Sequence, residues 1–373
     1  MNYSQLEPSQ SLRYDAQAIA SYYRFRPWQV IWRALAVVLL FGNFALHLYW
    51  DKITNREIAN QPKRAREIRK IITALGPAYI KVGQALSTRP DLIRKDFLDE
   101  LTKLQDQLPA FPNHVAFRII ESGLGRSIED VYREFSPNPI AAASLGQVYK
   151  AVLHSGETVA VKVQRPNLRP RLSLDLYLMR VLAGWVEPWL PLNLGHDLTL
   201  IVDEFGLKLF EEIDYLNEAR NAEKFAENFA GDPEVKVPVI YNEFCNHFVL
   251  TLEWIDGIKL TDLAKLEAAG LDADNLVRIG VTSGLRQLLE YGFFHADPHP
   301  GNLFATLDGR MAYIDFGMMD QLSEAMKETI ASAVVQLINR DYEALARDFV
   351  NLGFLTPDTD IRPIIPALEI VLG

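Results

Sequence analysis

The chain has 373 residues, 49% hydrophobic and 23% charged, so it is long enough for more than one packed core. A single cysteine excludes an internal disulfide framework and a zinc site built from several thiolates, and it favours a reducing compartment. The net charge of −10 argues against nucleic-acid binding, which needs a basic surface.

The N-terminal part differs in charge and contains the candidate membrane segment, between Trp28 and Trp50. Residues 1–110 hold 16 Lys and Arg against 10 Asp and Glu, leaving 22 against 38 for the remainder. Arg33 interrupts the apolar run, and the 17 uncharged residues after it are few for a bilayer-spanning helix. Tryptophans at both ends therefore favour a helix lying among anionic headgroups, with a buried helix as the alternative. We expect residues 1–55 to associate peripherally with a membrane.

Residues 56–137 have the periodicity and punctuation of a helical extension. Gly76 and Pro77 predict a break between its first two helices, because neither residue continues a helix well. The predicted helices cover 56–75, 79–87 and 91–108.

The following part alternates strands and helices. Residues 147–154 and 158–164 alternate around Ser-Gly-Glu, which predicts a β-hairpin. The remaining predicted elements are a helix over 203–230, strands at 235–241, 248–254 and 311–314, a helix over 274–291 and helices to the end. Strands before helices indicate an α+β, two-lobed architecture with an N-lobe over 138–256 and a C-lobe over 257–373. Because the chain stops in an apolar helical run, we expect a C-lobe that is cut short.

The sequence Ala-Ala-Ala-Ser-Leu-Gly-Gln-Val at 141–148 fits the frame of the phosphate-covering loop of kinases, G-x-G-x-x-G-x-V. Alanine replaces the first two glycines, which stiffens the loop while keeping it small enough for backbone N–H groups to approach phosphate oxygens. A plain turn entering a hairpin is the alternative. The candidate nucleotide-binding residues here are Ala141, Ala142, Ala143, Ser144, Gly146 and Val148.

Lys162 ends Val-Ala-Val-Lys on the second hairpin strand, where kinases place the lysine that contacts the α- and β-phosphates. The alternative is a solvent-exposed lysine at the edge of a strand. The expected partner is a glutamate on the next long helix. Glu218 lies in that helix, but Glu212 and Asp214 lie nearby, so the pattern leaves the choice open.

Two further motifs complete the kinase pattern. His-Ala-Asp-Pro-His-Pro-Gly-Asn at 295–302 matches H-x-D-x-x-x-x-N, and Asp-Phe-Gly follows at 315–317. Asp297 is the predicted catalytic base, and Asn302 and Asp315 are the predicted oxygen ligands of Mg²⁺. Unrelated loops would explain either motif alone, but not both in this order after the lysine strand.

The adenine is expected at the joint between strand and helices, against backbone groups of Glu253 and Ile255. Little room remains between Asp315 and the next helix for an activation segment, and no Ala-Pro-Glu follows. The usual platform for a protein substrate is therefore missing. His299 stands where many protein kinases have lysine, which resembles small-molecule phosphotransferases.

With these motifs the sequence resembles the UbiB/AarF family of atypical kinases, which act in prenylquinone pathways. The resemblance covers about 56–350 and includes two motifs of that family. Lys81-Val82-Gly83-Gln84 resembles its K-x-G-Q motif, and Glu212-Ile213-Asp214 resembles its E-x-D motif.

The resemblance implies a protein-kinase-like fold in which the helix of Lys81, Gly83 and Gln84 packs over the cleft, contacting Glu212 and Asp214 in place of a protein substrate. It also implies that Glu218 pairs with Lys162. The wording of the 295–302 loop is similar to bacterial and plastid members, which implies a cyanobacterial or chloroplast source.

The leading hypothesis is an ATP- and Mg²⁺-dependent kinase or ATPase that supports prenylquinone or isoprenoid-lipid metabolism at a membrane. By resemblance, its partners are a prenylquinone precursor or quinone-biosynthesis proteins, on the cytoplasmic side or at a plastid or cyanobacterial membrane. A nucleotide-gated lipid-binding module with little catalysis and a protein Ser/Thr kinase are the alternatives. The sequence names no phosphate acceptor.

Overall fold

The computed structural model describes residues 13–104, 108–189, 197–296, 298, 300–356 and 359–372. The chain forms two compact units. The first contains the residues up to 220 together with 239–254, and the second contains 221–238 together with 255–373. The finer division of the chain into four segments stays a prediction.

Helices occupy most of the N-terminal part and the C-terminal end. Their bounds are α1 Ala16–Arg24, α2 Pro27–Ile53, α3 Glu57–Leu75, α4 Pro77–Ser87, α5 Lys95–Thr102, α6 Asn113–Leu124, α7 Ile128–Val131, α8 Leu168–Val186, α9 Leu198–Glu212, α10 Tyr215–Asn228, α11 Leu263–Ala268, α12 Ala273–Arg286, α13 Glu324–Asn339, α14 Tyr342–Asn351 and α15 Ile364–Leu372. The predicted break between α3 and α4 is confirmed. Gly76, at a φ of 102°, takes a conformation open to glycine, and Pro77 then begins α4.

Strands are short and fall into both units. Their bounds are β1 Tyr132–Phe135, β2 Ala141–Ala142, β3 Gly146–Leu153, β4 Thr158–Gln164, β5 Val235–Lys236, β6 Val249–Glu253, β7 Gly257–Lys259, β8 Phe293–His295, β9 Leu303–Thr306, β10 Met311–Tyr313 and β11 Met319–Gln321. The run predicted at 235–241 is a strand for only two residues. Pro238 follows these residues and lacks the N–H group that a ladder needs.

The sheet of the first unit is antiparallel in the order β1-β3-β4-β6, with β2 paired to β3. The predicted hairpin of β3 and β4 is confirmed. Alternate residues Val159, Val161 and Val163 are fully buried and pack with residues of α6. Lys162 therefore points to the other face of the sheet, since successive side chains of a strand alternate.

The helix predicted over 203–230 is wrong in one respect, because it is two helices, α9 and α10. The break falls at Ile213 and Asp214. Asp214 caps α10, since its carboxylate Oδ1 accepts from the backbone N–H of Leu216 at 3.2 Å, and this local bond competes with a continuous helix.

Helix α2 is attached to the first unit along one face and exposed along another. Its inward polar contacts are Arg33–Asp175 at 2.6 Å, His47–Glu67 at 2.6 Å and Asp51–Arg64 at 2.7 Å. Large apolar side chains that are 56–71% exposed occur along its whole length, among them Trp28, Trp32, Leu39, Leu46 and Trp50. Among the described residues, α2 is the one helix whose length and composition would allow it to cross a bilayer.

The second unit contains a four-stranded sheet in the order β5-β10-β9-β7 and a ladder of β8 with β11. Helix α12 runs into a π-helical turn at Gln287–Tyr291, so the helix predicted over 274–291 is confirmed. The ladder of β8 and β11 brings the start of the 295–302 motif beside the segment that follows Asp-Phe-Gly, as His295 is paired with Met319.

Candidate active site

Lys162 meets one of the three carboxylates that the sequence left open. Its amine Nζ lies 2.5 Å from Oε1 of Glu218, and the two side chains are only 15% and 5% exposed. Strand β4 directs Lys162 away from the apolar core, and Glu218 stands in the first turn of α10, directly after the cap at Asp214. The break between α9 and α10 therefore helps to position the glutamate.

The other two carboxylates have different partners. Glu212 forms an ion pair with Lys81, which joins the end of α9 to α4. Asp214 contacts Nδ1 of His247 at 2.7 Å. The resemblance implied that the helix of Lys81 contacts both acidic residues of the E-x-D motif. In the structure Lys81 contacts Glu212, whereas Asp214 contacts His247, a residue that the sequence did not single out.

Gln84 and Gly83 serve the packing of α4. The amide Nε2 of Gln84 donates to the backbone carbonyl of Leu104 at 3.0 Å, so its implied contact with the E-x-D motif is not the one formed. A Cβ at Gly83 would lie 2.7 Å from Cδ1 of Leu104, a nearly fully buried side chain. The glycine thus lets α4 approach its neighbour closely.

The alanine-rich loop is a tight connection between β2 and β3. Ala141 is paired with Val148 and Ala142 with Gln147, while the N–H of Ala143 donates to the carbonyl of Gly146 at 2.8 Å. The predicted loop residues thus lie together: Ala141 and Ala143 are exposed, Ala142 is half-buried, and Ser144, Gly146 and the half-buried Val148 follow.

Gly146 has a specific steric role. A Cβ there would lie 2.5 Å from the backbone carbonyl of Val163, so no larger residue fits without moving the strand. This is the one glycine of the kinase frame that the sequence keeps.

In the second unit the start of the 295–302 loop is bound to the Asp-Phe-Gly segment. Nε2 of the buried His295 lies 2.9 Å from the backbone carbonyl of Asp315, and the N–H of Ala296 donates to the carbonyl of Met318 at 2.9 Å. Phe316 is almost fully buried, and its ring centroid lies 5.3 Å from that of Phe225. The Asp-Phe-Gly segment is therefore fixed by the 295–302 loop through hydrogen bonds and by Phe225 through ring packing.

The two predicted metal ligands lie close along the backbone. The N–H of Ile314, next to Asp315, donates to the carbonyl of Asn302 at 3.2 Å. Both side chains are half-buried, and Oδ1 of Asp315 accepts from the N–H of Gly317 at 3.0 Å. In the described part of the chain no three His, Cys, Asp or Glu side chains form a metal-binding group. Asp297 and His299 lie outside the described residues.

Glu253 and Ile255, predicted to contact adenine, belong to different units. The N–H of Glu253 donates to the carbonyl of Val239 at 2.8 Å, and its carboxylate Oε2 accepts from the N–H of Val239 at 3.0 Å. The backbone N–H of Glu253, which could have donated to an adenine edge, therefore already donates to Val239. The assignment of Glu253 and Ile255 stays a prediction.

Sequence reasoning missed Arg169, a guanidinium that is 5% exposed near the start of α8. Its Nε and Nη2 atoms are buried and have no hydrogen-bond partner among the described residues. It lies 5.1 Å from the ring centroid of Phe248. Burial lowers its pKa, and the charge of Asp214 opposes that change. No sequence signal separated this arginine from an exposed one.

The family model described as the ABC1 atypical kinase-like domain matches residues 103–349. The chain belongs to the ABC1 atypical kinase-like family. The resemblance to UbiB/AarF kinases is therefore confirmed at the level of the family.

Relatives of this ABC1 chain come from cyanobacteria and chloroplasts. An uncharacterized protein of Synechocystis is 70% identical over 97% of the chain and 64% of its own length. The Arabidopsis thaliana chloroplastic protein ACTIVITY OF BC1 COMPLEX KINASE 1 is 49% identical over 91% and 50%. The chain thus spans about half to two thirds of the length of the curated relatives it matches.

A solved structure supports the kinase-like fold of this ABC1 chain. The Mycobacterium tuberculosis protein Rv3197, in complex with erythromycin, has a TM-score of 0.56 and 27% identity, and the match covers 86% of this chain and 81% of the other. The predicted mixed helix-and-sheet, kinase-like fold with N-terminal helices is confirmed.

Proposed function

We propose that the chain is an ATP- and Mg²⁺-dependent atypical kinase or ATPase. The observation that carries the proposal is the buried pair of Lys162 and Glu218, because a lysine fixed by a helix glutamate is the phosphate clamp of active kinases. Membership of the ABC1 family supports it. A lysine at a solvated strand edge would not need a partner that is only 5% exposed.

The donor atoms suit the substrate. Asn302 and Asp315 supply hard oxygens, and Mg²⁺ commonly takes only one or two protein ligands beside water and phosphates, so a set of two fits. When bound, Mg²⁺ neutralises charge on the phosphates. Lys162 would hold the α- and β-phosphates, and the alanine-rich loop, in which Ala141 and Ala143 are exposed, would lie beside them. Asp297 would orient and deprotonate the attacking hydroxyl or water.

The acceptor in this proposal is a small molecule. The ion pair of Lys81 with Glu212 fixes α4 against α9 with both side chains about 15% exposed. By the resemblance to UbiB/AarF kinases, this helix takes the place of a protein substrate. The erythromycin complex of Rv3197 supports small-molecule binding in this fold. We assign the acceptor to isoprenoid-lipid metabolism, of which prenylquinone synthesis is one branch.

The proposal places the enzyme on a membrane surface. Helix α2 turns Arg33, His47 and Asp51 toward the first unit and large apolar side chains outward. A spanning orientation would have to break these three contacts, whereas an in-plane helix keeps them and buries the apolar face among acyl chains. Exposed Lys52 and Arg56 near its C-terminal end suit anionic headgroups.

The test is ADP release by the purified chain with Mg²⁺, with and without vesicles containing phosphatidylglycerol. Asp315→Asn and Lys162→Met should each lower turnover at least about 100-fold, as loss of a phosphate or metal contact does. Equal turnover in Asp315→Asn and the parent would refute the catalytic proposal. Transfer of phosphate to an added protein such as casein would instead favour a protein Ser/Thr kinase.

The alanine-rich loop and the Lys81–Glu212 pair also favour a second function, a nucleotide-gated lipid-binding module. Both features restrict movement near the nucleotide. Tight Mg²⁺-dependent ATP binding without ADP release, with or without vesicles, would select this function.

A further inference from the structure

A cavity of about 240 Å³ lies in the first unit, between the start of α4, the alanine-rich loop and the start of α8. Most of its wall is apolar and includes Ile80, Leu108, Phe111 and Leu168. None of these side chains has a part in the proposed phosphate clamp. The cavity therefore needs an explanation of its own.

Two guanidinium groups, of Arg165 and Arg171, form the charged part of the wall. Arg165 donates to the backbone carbonyls of Ala143 and Pro109 at 2.7–3.0 Å, and Arg171 donates to that of Leu75 at 2.7 Å. Neither arginine forms an ion pair with a carboxylate in the part of the chain that the structure describes. Backbone carbonyls orient these cations without neutralising them.

The local charge is positive. Burial lowers the pKa of Arg165; Tyr215 opposes that change, and the charge of Arg171 adds to it. Burial and the charge of Arg33 lower the pKa of Arg171. The carboxylate that favours charged Arg171, Asp175, is bound by Arg33 at 2.6 and 2.9 Å. Two neighbouring guanidinium cations, with the carboxylate near Arg171 already paired to Arg33, favour an anion with two charges.

Size and wall chemistry restrict the anion further. An apolar cavity of about 150 Å³ holds a benzene ring. The present cavity thus has room for such a ring with a phosphate group beside it. Arginine forks suit phosphate oxygens, and the side chains of Ile80 and Phe111 suit a hydrocarbon. We propose that this cavity binds a phosphate monoester with an apolar substituent.

The cavity touches parts that the proposed function uses. Ser144, in its wall, belongs to the alanine-rich loop, and Ile80 precedes Lys81 on α4. An occupant would join the loop to α4 and stiffen both. This step rests on the proposed function. A ligand in the cavity should raise the affinity of the chain for Mg²⁺ and ATP, because the alanine-rich loop is then already ordered before the nucleotide binds.

The test is calorimetric titration of phenyl phosphate into the full chain without nucleotide. Binding at one site is expected, with inorganic phosphate and benzyl alcohol each at least about ten-fold weaker because each lacks one half of the recognised chemistry. Arg165→Gln combined with Arg171→Gln should weaken phenyl phosphate at least about ten-fold. Arg278→Gln, a charge change at an exposed pair with Glu234, is the matched control.

Thr73→Phe keeps both arginines and fills the cavity from α3, so it decides the matter should the double variant fail to fold. Binding that survives both changes, or that is lost in Lys162→Met instead, would place phenyl phosphate at the nucleotide site and overturn the proposal. No binding of phenyl phosphate or of dihexanoyl phosphatidic acid would overturn it as well. If both compounds bind, tighter binding of phenyl phosphate indicates a soluble phosphate ester as the ligand, and tighter binding of dihexanoyl phosphatidic acid indicates a lipid.

Because no nucleotide is present, this result is independent of ADP release. Binding without turnover would leave the cavity proposal intact while the catalytic proposal fails, and the reverse pattern would do the opposite.

Discussion

The amine of Lys81 and the carboxylate of Glu212 join α4 to the end of α9, across 131 positions of sequence, with 14% and 15% of the side chains exposed. Two elements distant in sequence are thereby fixed next to the break that positions Glu218. The pair is a candidate control point for the site, since loosening α4 would also free the segment that follows α9.

Lys81→Met should therefore alter function more than a surface change does. Removal of one partner of a buried ion pair costs about 3–5 kcal/mol, and the largely buried Lys81 belongs near the lower end of this range. We expect a changed ratio of ATP to ADP affinity and the appearance of autophosphorylation. Nucleotide titrations and phosphate labelling measure both. Lys208→Met, which removes an i,i+3 pair with Glu211 on α9, is the control and should leave both unchanged.

Variants of Lys162 and Glu218 can distinguish a lysine that only pairs with the glutamate from one that also binds nucleotide. Lys162→Met alone should lower the free energy of unfolding by about 3 kcal/mol, because Glu218 is left buried and unpaired. Adding Glu218→Leu should recover most of that stability. It should not recover Mg²⁺-dependent ATP affinity if the amine contacts phosphate. Recovery of both in the double variant would show a purely structural lysine.

Arg169→Met should raise the free energy of unfolding by about 1–3 kcal/mol, since an apolar chain of similar length replaces a guanidinium with two buried nitrogens that have no hydrogen-bond partner among the described residues. Urea unfolding measures the change. Arg278→Met, at an exposed ion pair, should change stability by less than about 1 kcal/mol. A clear loss of stability in Arg169→Met would mean that its charge is stabilised, through Phe248 and Asp214 in particular.

Tyr132 links stability to alkaline pH. Its hydroxyl contacts Oγ1 of Thr251 at 3.1 Å in the sheet, and burial raises its pKa to about 12. A raised pKa gives stability that is complete below the unfolded-state pKa, about 10, and is lost as pH rises toward 12, by about 1.4 kcal/mol per unit. Tyr132→Phe should lose about 1 kcal/mol at pH 7 through the missing hydrogen bond. The Phe variant has no hydroxyl to ionise, so it should not lose stability through this group at alkaline pH. The free energies of unfolding of the parent chain and the variant should therefore converge by pH 11.

The sequence predicted the features that depend on local pattern. The hairpin carrying Lys162 follows from alternation, and the start of α4 follows from Gly76 and Pro77. It missed what depends on competition between distant groups. The interruption between α9 and α10 needs the Asp214 cap to outweigh a helical periodicity that continues through it. The partner of Asp214, His247, comes from a loop 33 positions away, which no spacing rule connects.

The site residues also fall into those that local pattern predicts and those that depend on tertiary contacts. Motif spacing singled out Lys162 and left three carboxylates open, and the fold brought Glu218 to it. The family pattern suggested that Gln84 contacts the acidic motif, yet its amide binds the carbonyl of Leu104, a backbone group that carries no residue signal. Arg169 and the cavity at Arg165 were not predictable, because burial of an arginine is a tertiary property.

The outward face of α2 makes the last prediction. Trp32, Leu39 and Leu46 are 62–71% exposed, so changing all three to Gln should alter the free energy of unfolding by less than about 0.5 kcal/mol. Binding to phosphatidylglycerol vesicles should fall at least about 100-fold, as each large apolar side chain contributes about 1.5 kcal/mol when buried in lipid. Val277, Val281 and Leu285 on α12, also exposed, provide the matched triple change to Gln.

Accessibility then separates a helix lying on the membrane from one that spans it. Cysteines placed at Ile31 and at Leu46, near the two ends of the exposed face, should both be shielded from a water-soluble maleimide by vesicles, while one placed at the exposed Ala59, on α3, should react. An in-plane helix shields both ends equally, because both sit at one depth. Reaction of one end from outside the vesicle and of the other only after lysis would establish a span, and the contact between Arg33 and Asp175 would then have to break on insertion.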